Sequence, residues 1–411
     1  MATPTNQLTL LSALSPPSTT RAWMAAPHPH LPIVACATSA KTVIIYSLAT
    51  FTKHSVISGG HKRSVRSCAW QPSSAKSPTT VLATGSFDAS AGIWRRDEQY
   101  GDGGANSDND ADDDWHFSVV LDGHDSEVKC VAWSASGMLL ATCGRDKSIW
   151  IWEDTGEVGN DNFETIAVLT EHEGDVKCVA WAEERDVLAS ASYDNDIRLW
   201  KEDIDGEYVC ICVMRGHEGT VWALAWEGVR EEGRRERIVS CSDDATVRIW
   251  RNADREGEGS NEKRTVPSTF RAAGEGEETW VQESALPQRH ERGVYSVAWS
   301  KKTGRILSTG GDGKVVIYEE RPVASTNGVE NDVNGQNGPD GTVEGEVDED
   351  ASRRKMEWFV YAEYEAAHGV YEVNHACWSR RYDKGRKSED EEFVITTGDD
   401  GTVNTWLVGE G

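Results

Sequence analysis

Basic residues are scarce in this sequence. Only 42 Lys and Arg stand against 69 Asp and Glu, a formal net charge of −27. That balance argues against a nucleic-acid surface over the whole molecule, because phosphate contacts need Lys and Arg. Long hydrophobic runs are missing too: no stretch approaches a membrane span, and the opening MATPTNQLTLLSALSPP has no basic region ahead of its short apolar run. A soluble intracellular protein is therefore expected. No CxxC pair occurs among the nine cysteines, and Cys68, Cys130, Cys143, Cys178 and Cys241 fall inside predicted strands. They read as small apolar fillers in a reducing compartment rather than a disulfide framework or metal centre. Cys210 and Cys212, two apart and so expected on one side of a strand, are the remaining candidates for redox or metal chemistry. GxSxG, HExxH, a P-loop and a paired-carboxylate constellation are all absent, so neither catalysis nor a cofactor is expected.

Tryptophan, by contrast, is abundant at 17 residues. The stretch LDGHDSEVKCVAWSASGMLLATCGRDKSIWIWE, residues 121–153, explains why. It holds three apolar runs with their turns, the first closing on Trp133 and the last on Trp152, which reads as three strands. The same template recurs along the chain in seven copies ending at Tyr46, Trp94, Trp152, Trp200, Trp250, Tyr318 and Trp406. In copies two to seven an Asp stands six residues before that aromatic (Asp88, Asp146, Asp194, Asp244, Asp312, Asp400). A hydroxyl stands four residues before each Asp (Thr84, Thr142, Ser190, Ser240, Ser308, Thr396), and a His lies upstream (His61, His124, His172, His217, His290, His368).

This quartet is similar to the WD-repeat pattern, and the likeness runs over nearly the whole chain. It implies an all-β, seven-bladed propeller spanning residues 1–411, with four antiparallel strands per blade. Elementary packing agrees, since one three-run unit cannot bury both faces without neighbours. In that pattern His124, Thr142, Asp146 and Trp152 form a hydrogen-bonded structural set, as do their counterparts. Copy one is degenerate, with Ala40 in the Asp position. Ahead of it QLTLLSAL, residues 7–14, reads as a lone strand that would close the ring as the outer edge of the last blade. Insertions at 97–114, 251–279 and 321–357 follow the third strand and are acidic and polar enough to be disordered; those at 71–80, 227–237 and 379–392 follow the first. Connections around the His and the Asp stay short, leaving one face, the top, uncluttered.

Two rings of positions should line that face. The residue after the Val that opens each first strand gives Trp23, Arg66, Lys129, Lys177, Trp222, Tyr295 and Asn374. The residue before each structural Asp gives Phe87, Arg145, Tyr193, Asp243, Gly311 and Asp399. Blades two to four thus present a basic and aromatic sector on an acidic protein, suited to a carboxylate-bearing or acidic peptide, with Arg145 its natural bidentate partner.

More specific stretches are ATCGRDKSIWIWE, EHEGDVKCVAW, GHEGTVWALAWE and AHGVYEVNHACW. Together they resemble the WD-repeat component of the cytosolic iron-sulfur protein assembly machinery, the Ciao family. The resemblance implies a non-enzymatic adaptor that joins a small targeting subunit and a HEAT-repeat scaffold. Such a complex delivers clusters to cytosolic and nuclear apoproteins, with no direct nucleic-acid or membrane contact. It places the protein in the cytoplasm, leaves the nucleus open as a second site, and gives a functional role to the arginine matching Arg145. A ubiquitin-ligase substrate receptor or a histone-peptide reader is the alternative. Ligase receptors often carry a WDxR box, whereas Trp94, Trp152, Trp200 and Trp250 are followed by RRD, EDT, KED and RNA.

Overall fold

A computed structural model describes residues 6–72, 79–97, 115–156, 162–228, 236–253, 278–323 and 356–409. Among them there is no helix, and the strands form seven four-stranded antiparallel sheets. Each sheet is a blade whose innermost strand packs against the innermost strands of its two neighbours, and the first blade meets the seventh, so the ring closes. The result is a seven-bladed β-propeller.

Closure uses the N-terminal strand, as expected. Leu8–Ala13 pairs antiparallel with Val403–Val408 and forms the outer edge of the last blade, which otherwise consists of Val373–Arg380, Glu392–Gly398 and Val403–Val408. Behind it, the Ser18 amide donates to the Gly401 carbonyl at 3.0 Å. Gly401 adopts a left-handed φ of 78°, and a Cβ there would strike the carbonyls of Ser18 and Thr20.

Side-chain size explains the layering within a blade. The second strands are buried almost throughout, and Val187–Ser192 and Ile33–Thr38 are buried at every residue. They are built mostly from Ala, Ser, Thr, Cys, Leu and β-branched residues, which fit between two neighbouring blades. The apolar clusters accordingly sit between blades, as where Cys143, Ile149 and Ile151 of blade three meet Val176, Val179 and Trp181 of blade four. Tryptophans at the ends of first strands stitch adjacent blades. Trp70 Nε1 donates to the Ala26 carbonyl, Trp133 to Ala69, Trp181 to Ala132 and Trp226 to Ala180, at 2.8–3.2 Å. A buried indole needs an acceptor, and the neighbouring blade provides it.

The structural quartet is a chain of hydrogen bonds. In blade three Trp152 Nε1 donates to Thr142 Oγ1 at 3.0 Å, Thr142 lies 2.9 Å from His124 Nε2, and His124 Nδ1 lies 2.8 Å from Asp146. A carboxylate can only accept, so Nδ1 carries the proton and Nε2 accepts from the threonine. Asp146 also accepts the amides of Asp125 (2.9 Å) and Ser148 (3.1 Å), tying the loop ahead of the blade to a turn in which Lys147 has a left-handed φ of 69°. The His–Asp contact repeats at Asp88, Asp194, Asp244, Asp312 and Asp400 over 2.8–3.3 Å. Blade one does without it: Thr38 bonds Thr42, and the Tyr46 hydroxyl donates to the Pro16 carbonyl at 2.8 Å.

Two sequence expectations change. Most of the three insertions after third strands lies outside the described residues, yet their described margins belong to strands: Arg251 and Asn252 end Val247–Asn252, Arg321 ends with Pro322 the strand Val315–Pro322, and Met356 opens Met356–Tyr364. Cys210 and Cys212 do not share a side. The register slips at Leu199/Trp200, so Cys212 lies opposite Leu199 and Cys210 opposite Trp200. This irregularity turns the two thiols toward different interblade clusters.

Candidate functional site at the top of the ring

A bulge in every first strand builds the inner ring. In blade two the pairing jumps from Val65↔Ser86 to Ser67↔Gly85, leaving Arg66 unpaired between them. The same jump passes over Trp23, Lys129, Lys177, Trp222, Tyr295 and Asn374. An extra residue in a strand bends it and re-aims one side chain. Seven such bulges collect seven side chains around the channel mouth.

The second ring is fixed by backbone bonds to the first. The Phe87 amide donates to the Ser64 carbonyl at 2.9 Å, Arg145 to Glu127 at 2.9 Å and Tyr193 to Asp175 at 2.8 Å. Each therefore sits directly over the residue preceding a strand-opening Val. From there the two rings touch: Lys129 Nζ lies 4.4 Å from the Phe87 ring centroid, and Lys177 Nζ 5.4 Å from Tyr193 and 5.0 Å from Trp222. Trp222 meets Tyr295 edge-on at 5.5 Å, and Trp23 meets Phe87 at 6.0 Å.

The basic sector is less free than the sequence suggests. Lys129 Nζ bonds Glu127 at 2.7 Å and Lys177 Nζ bonds Asp175 at 3.0 Å, with only 16% and 10% of the two lysine side chains exposed. Glu127 also faces Arg63 at 3.4 Å and Arg145 at 3.7 Å. Burial alone would raise the Glu127 carboxyl, but the Lys129 hydrogen bond and the surrounding cations hold it below the ordinary range. Sequence reasoning missed Glu127, Asp175 and Arg63. The two acids stand just ahead of strands Val128–Trp133 and Val176–Trp181, and the bulged lysines turn back to them, so regular alternation did not mark the pairs.

What stays open to solvent on this sector includes Arg145 (60% exposed), Arg63 (59%) and Tyr193 (62%). Blades five to seven answer with acid. Asp243 accepts from Trp222 Nε1 at 2.7 Å, and Asp399 accepts from Arg21 Nε at 2.7 Å and Asn374 at 2.8 Å. The rim is thus bipolar, with cations in excess over blades two to four and carboxylates opposite. Such a surface can orient a charged partner as well as attract it. Among the described residues no group of three or more His, Cys, Asp or Glu is placed to hold a metal ion.

The WD domain, G-beta repeat family matches residues 48–95, 115–153, 163–201, 208–251 and 283–319. Full-length likeness is more informative. The chain is 50% identical over 449 residues to a protein of Aspergillus flavus, covering 98% of this chain and 99% of that one. It is 51% identical over 444 residues to one of Aspergillus terreus (99% and 100% covered), and 48% over 449 residues to one of Emericella nidulans (99% and 98%). All three carry the name "Probable cytosolic iron-sulfur protein assembly protein 1". With the propeller, the repeats and this identity along the whole chain, the protein belongs to the WD-repeat family of cytosolic iron-sulfur protein assembly protein 1.

Proposed function

We propose that this chain is a non-enzymatic adaptor of cytosolic iron-sulfur protein assembly. It would bind a small targeting subunit, a HEAT-repeat scaffold and apo client proteins in the cytoplasm, the cluster being cargo of the assembly. The observation that carries the reading is Arg145. Its backbone is fixed by the Glu127 carbonyl and its neighbour Asp146 is locked into the quartet, yet its side chain is 60% exposed and its nearest carboxylate contact is 3.7 Å away. A rigidly held arginine with free donors is suited to a carboxylate on a partner. Tyr193 is exposed on the same ring, Phe87 completes that ring over blade two, and Lys129, Lys177, Trp222, Tyr295 and Arg66 form the floor of the site. The repeated His–Asp sets are poor candidates for catalysis, since each is already satisfied within its own blade.

Affinity purification from cytosol tests the reading. Wild-type protein should bring down the targeting and scaffold subunits, and Arg145→Glu should lose at least one of them while keeping its fold. Recovery of ligase subunits instead, or an unchanged set of partners with Arg145→Glu, contradicts it.

A further inference from the structure

Beneath the rim runs a channel of about 390 Å³, walled in part by Arg66, Lys129, Lys177, Asn374 and His375. No Asp or Glu is among its described lining residues. The two lysines are answered from the rim by Glu127 and Asp175. Arg66 is not. Its guanidinium lies 5.1 Å from the Trp23 ring centroid and makes no hydrogen bond or ion pair among the described residues. Apart from that cation–π contact, no carboxylate in the wall offsets the desolvation cost of this partly buried cation and its unfilled donors. Trp23 Nε1 and His375 Nδ1 are likewise buried without a hydrogen-bond partner among the described residues.

We infer that the upper channel is a binding site for a small free oxyanion of the inorganic phosphate class, with Arg66 as its principal ligand and Lys129 and Lys177 as flanking charges. The guanidinium offers parallel donors that match two oxygens of one anion. Burial lowers the pKa of both Arg66 and Lys129, and mutual repulsion among Arg66, Lys129 and Lys177 adds to the lysine's shift, which an anion between them would relieve. His375, lowered to about 4 first by burial and then by the charge of Arg66, is neutral at pH 7 and supplies a polar atom without charge. The site shares Arg66, Lys129 and Lys177 with the floor of the docking surface, but phosphate binding to the isolated chain asks for no partner protein, so its failure and the failure of the docking reading are told apart.

Isothermal titration of the full chain with inorganic phosphate, in chloride buffer of matched ionic strength, tests it. One phosphate should bind per chain and raise the thermal midpoint. Arg66→Met should weaken binding about tenfold or more, the loss expected for a charge-assisted bond. Arg63→Gln, on the rim, should leave binding unchanged. In phosphate-free buffer Arg66→Met should melt at or above the wild-type midpoint, because an unanswered charge has been removed. Should that variant fail to fold, Arg66→Lys keeps the charge but loses the fork, and must also weaken binding. No saturable phosphate binding, equal binding by wild type and the Arg66 variants, or Arg66-dependent binding of a Glu-rich peptide but not of phosphate would each overturn the proposal.

Discussion

Thr142→Val puts the hydrogen-bond chain of blade three to a direct test. The substitution keeps the shape of a side chain with no exposed surface and removes one oxygen. That oxygen accepts from Trp152 Nε1 at 3.0 Å and meets His124 Nε2 at 2.9 Å, so two buried polar atoms lose their partner together. An orphaned buried group costs about 1–3 kcal/mol, so the expected loss for the two is about 2–6 kcal/mol. Thr397 supplies the control. It is equally buried, but its hydroxyl has no partner among the described residues, so Thr397→Val should be neutral or stabilising. Hydrogen exchange of the amides in Leu139–Gly144 reads the local opening free energy without assuming that all seven blades unfold together, and urea unfolding gives the global value. A loss below about 0.5 kcal/mol for Thr142→Val, or equal losses at both sites, would refute the reasoning that bond satisfaction, and not hydroxyl burial, sets the effect.

Acid should destabilise the ring in two stages. Burial, aided by His30, lowers His28 to about 4, and its Nδ1 accepts the amides of His30 and Leu31; burial also lowers His61 and His217, against the pull of their aspartates. Groups with a folded pKa below the unfolded value near 6.5 take up protons on unfolding, so the urea midpoint should fall as pH drops from about 6.5 toward 4. Burial alone would raise Asp146 and Asp312, but their histidine hydrogen bonds lower both to about 2, so a further loss should follow below about pH 4. His28→Gln should flatten the first stage. Gly401→Ala, forced into a left-handed conformation against the carbonyls of Ser18 and Thr20, should cost roughly 1–3 kcal/mol. Its exchange protection should fall first along Leu8–Ala13, and a uniform loss over all blades would count against ring closure by this strand.

The ring positions were legible because spacing alone marks them: counting from each strand-opening Val or from each structural Asp lands on Lys129 and Arg145. Why Lys129 turns inward was not read, although VKCVAW departs from strict alternation: Val128, Val131 and Trp133 are buried at spacings of three and then two, as a one-residue bulge requires. The same irregularity misled the reading of Cys210 and Cys212, where counting by twos assumes a regular strand. Net positive character was overread for a different reason. Lys129 and Lys177 are unpaired cations in sequence, but in space each stands in an ion pair, with Glu127 and with Asp175. Arg145 keeps its donors because its place on the turn lifts it above that layer.

Radioiron incorporation into a cytosolic client enzyme, in cells whose only copy of this protein is Arg145→Glu, tests the adaptor account most directly. The account predicts a folded, normally abundant variant and a marked fall in cluster loading relative to wild type. Loading equal to wild type at equal protein level would contradict it.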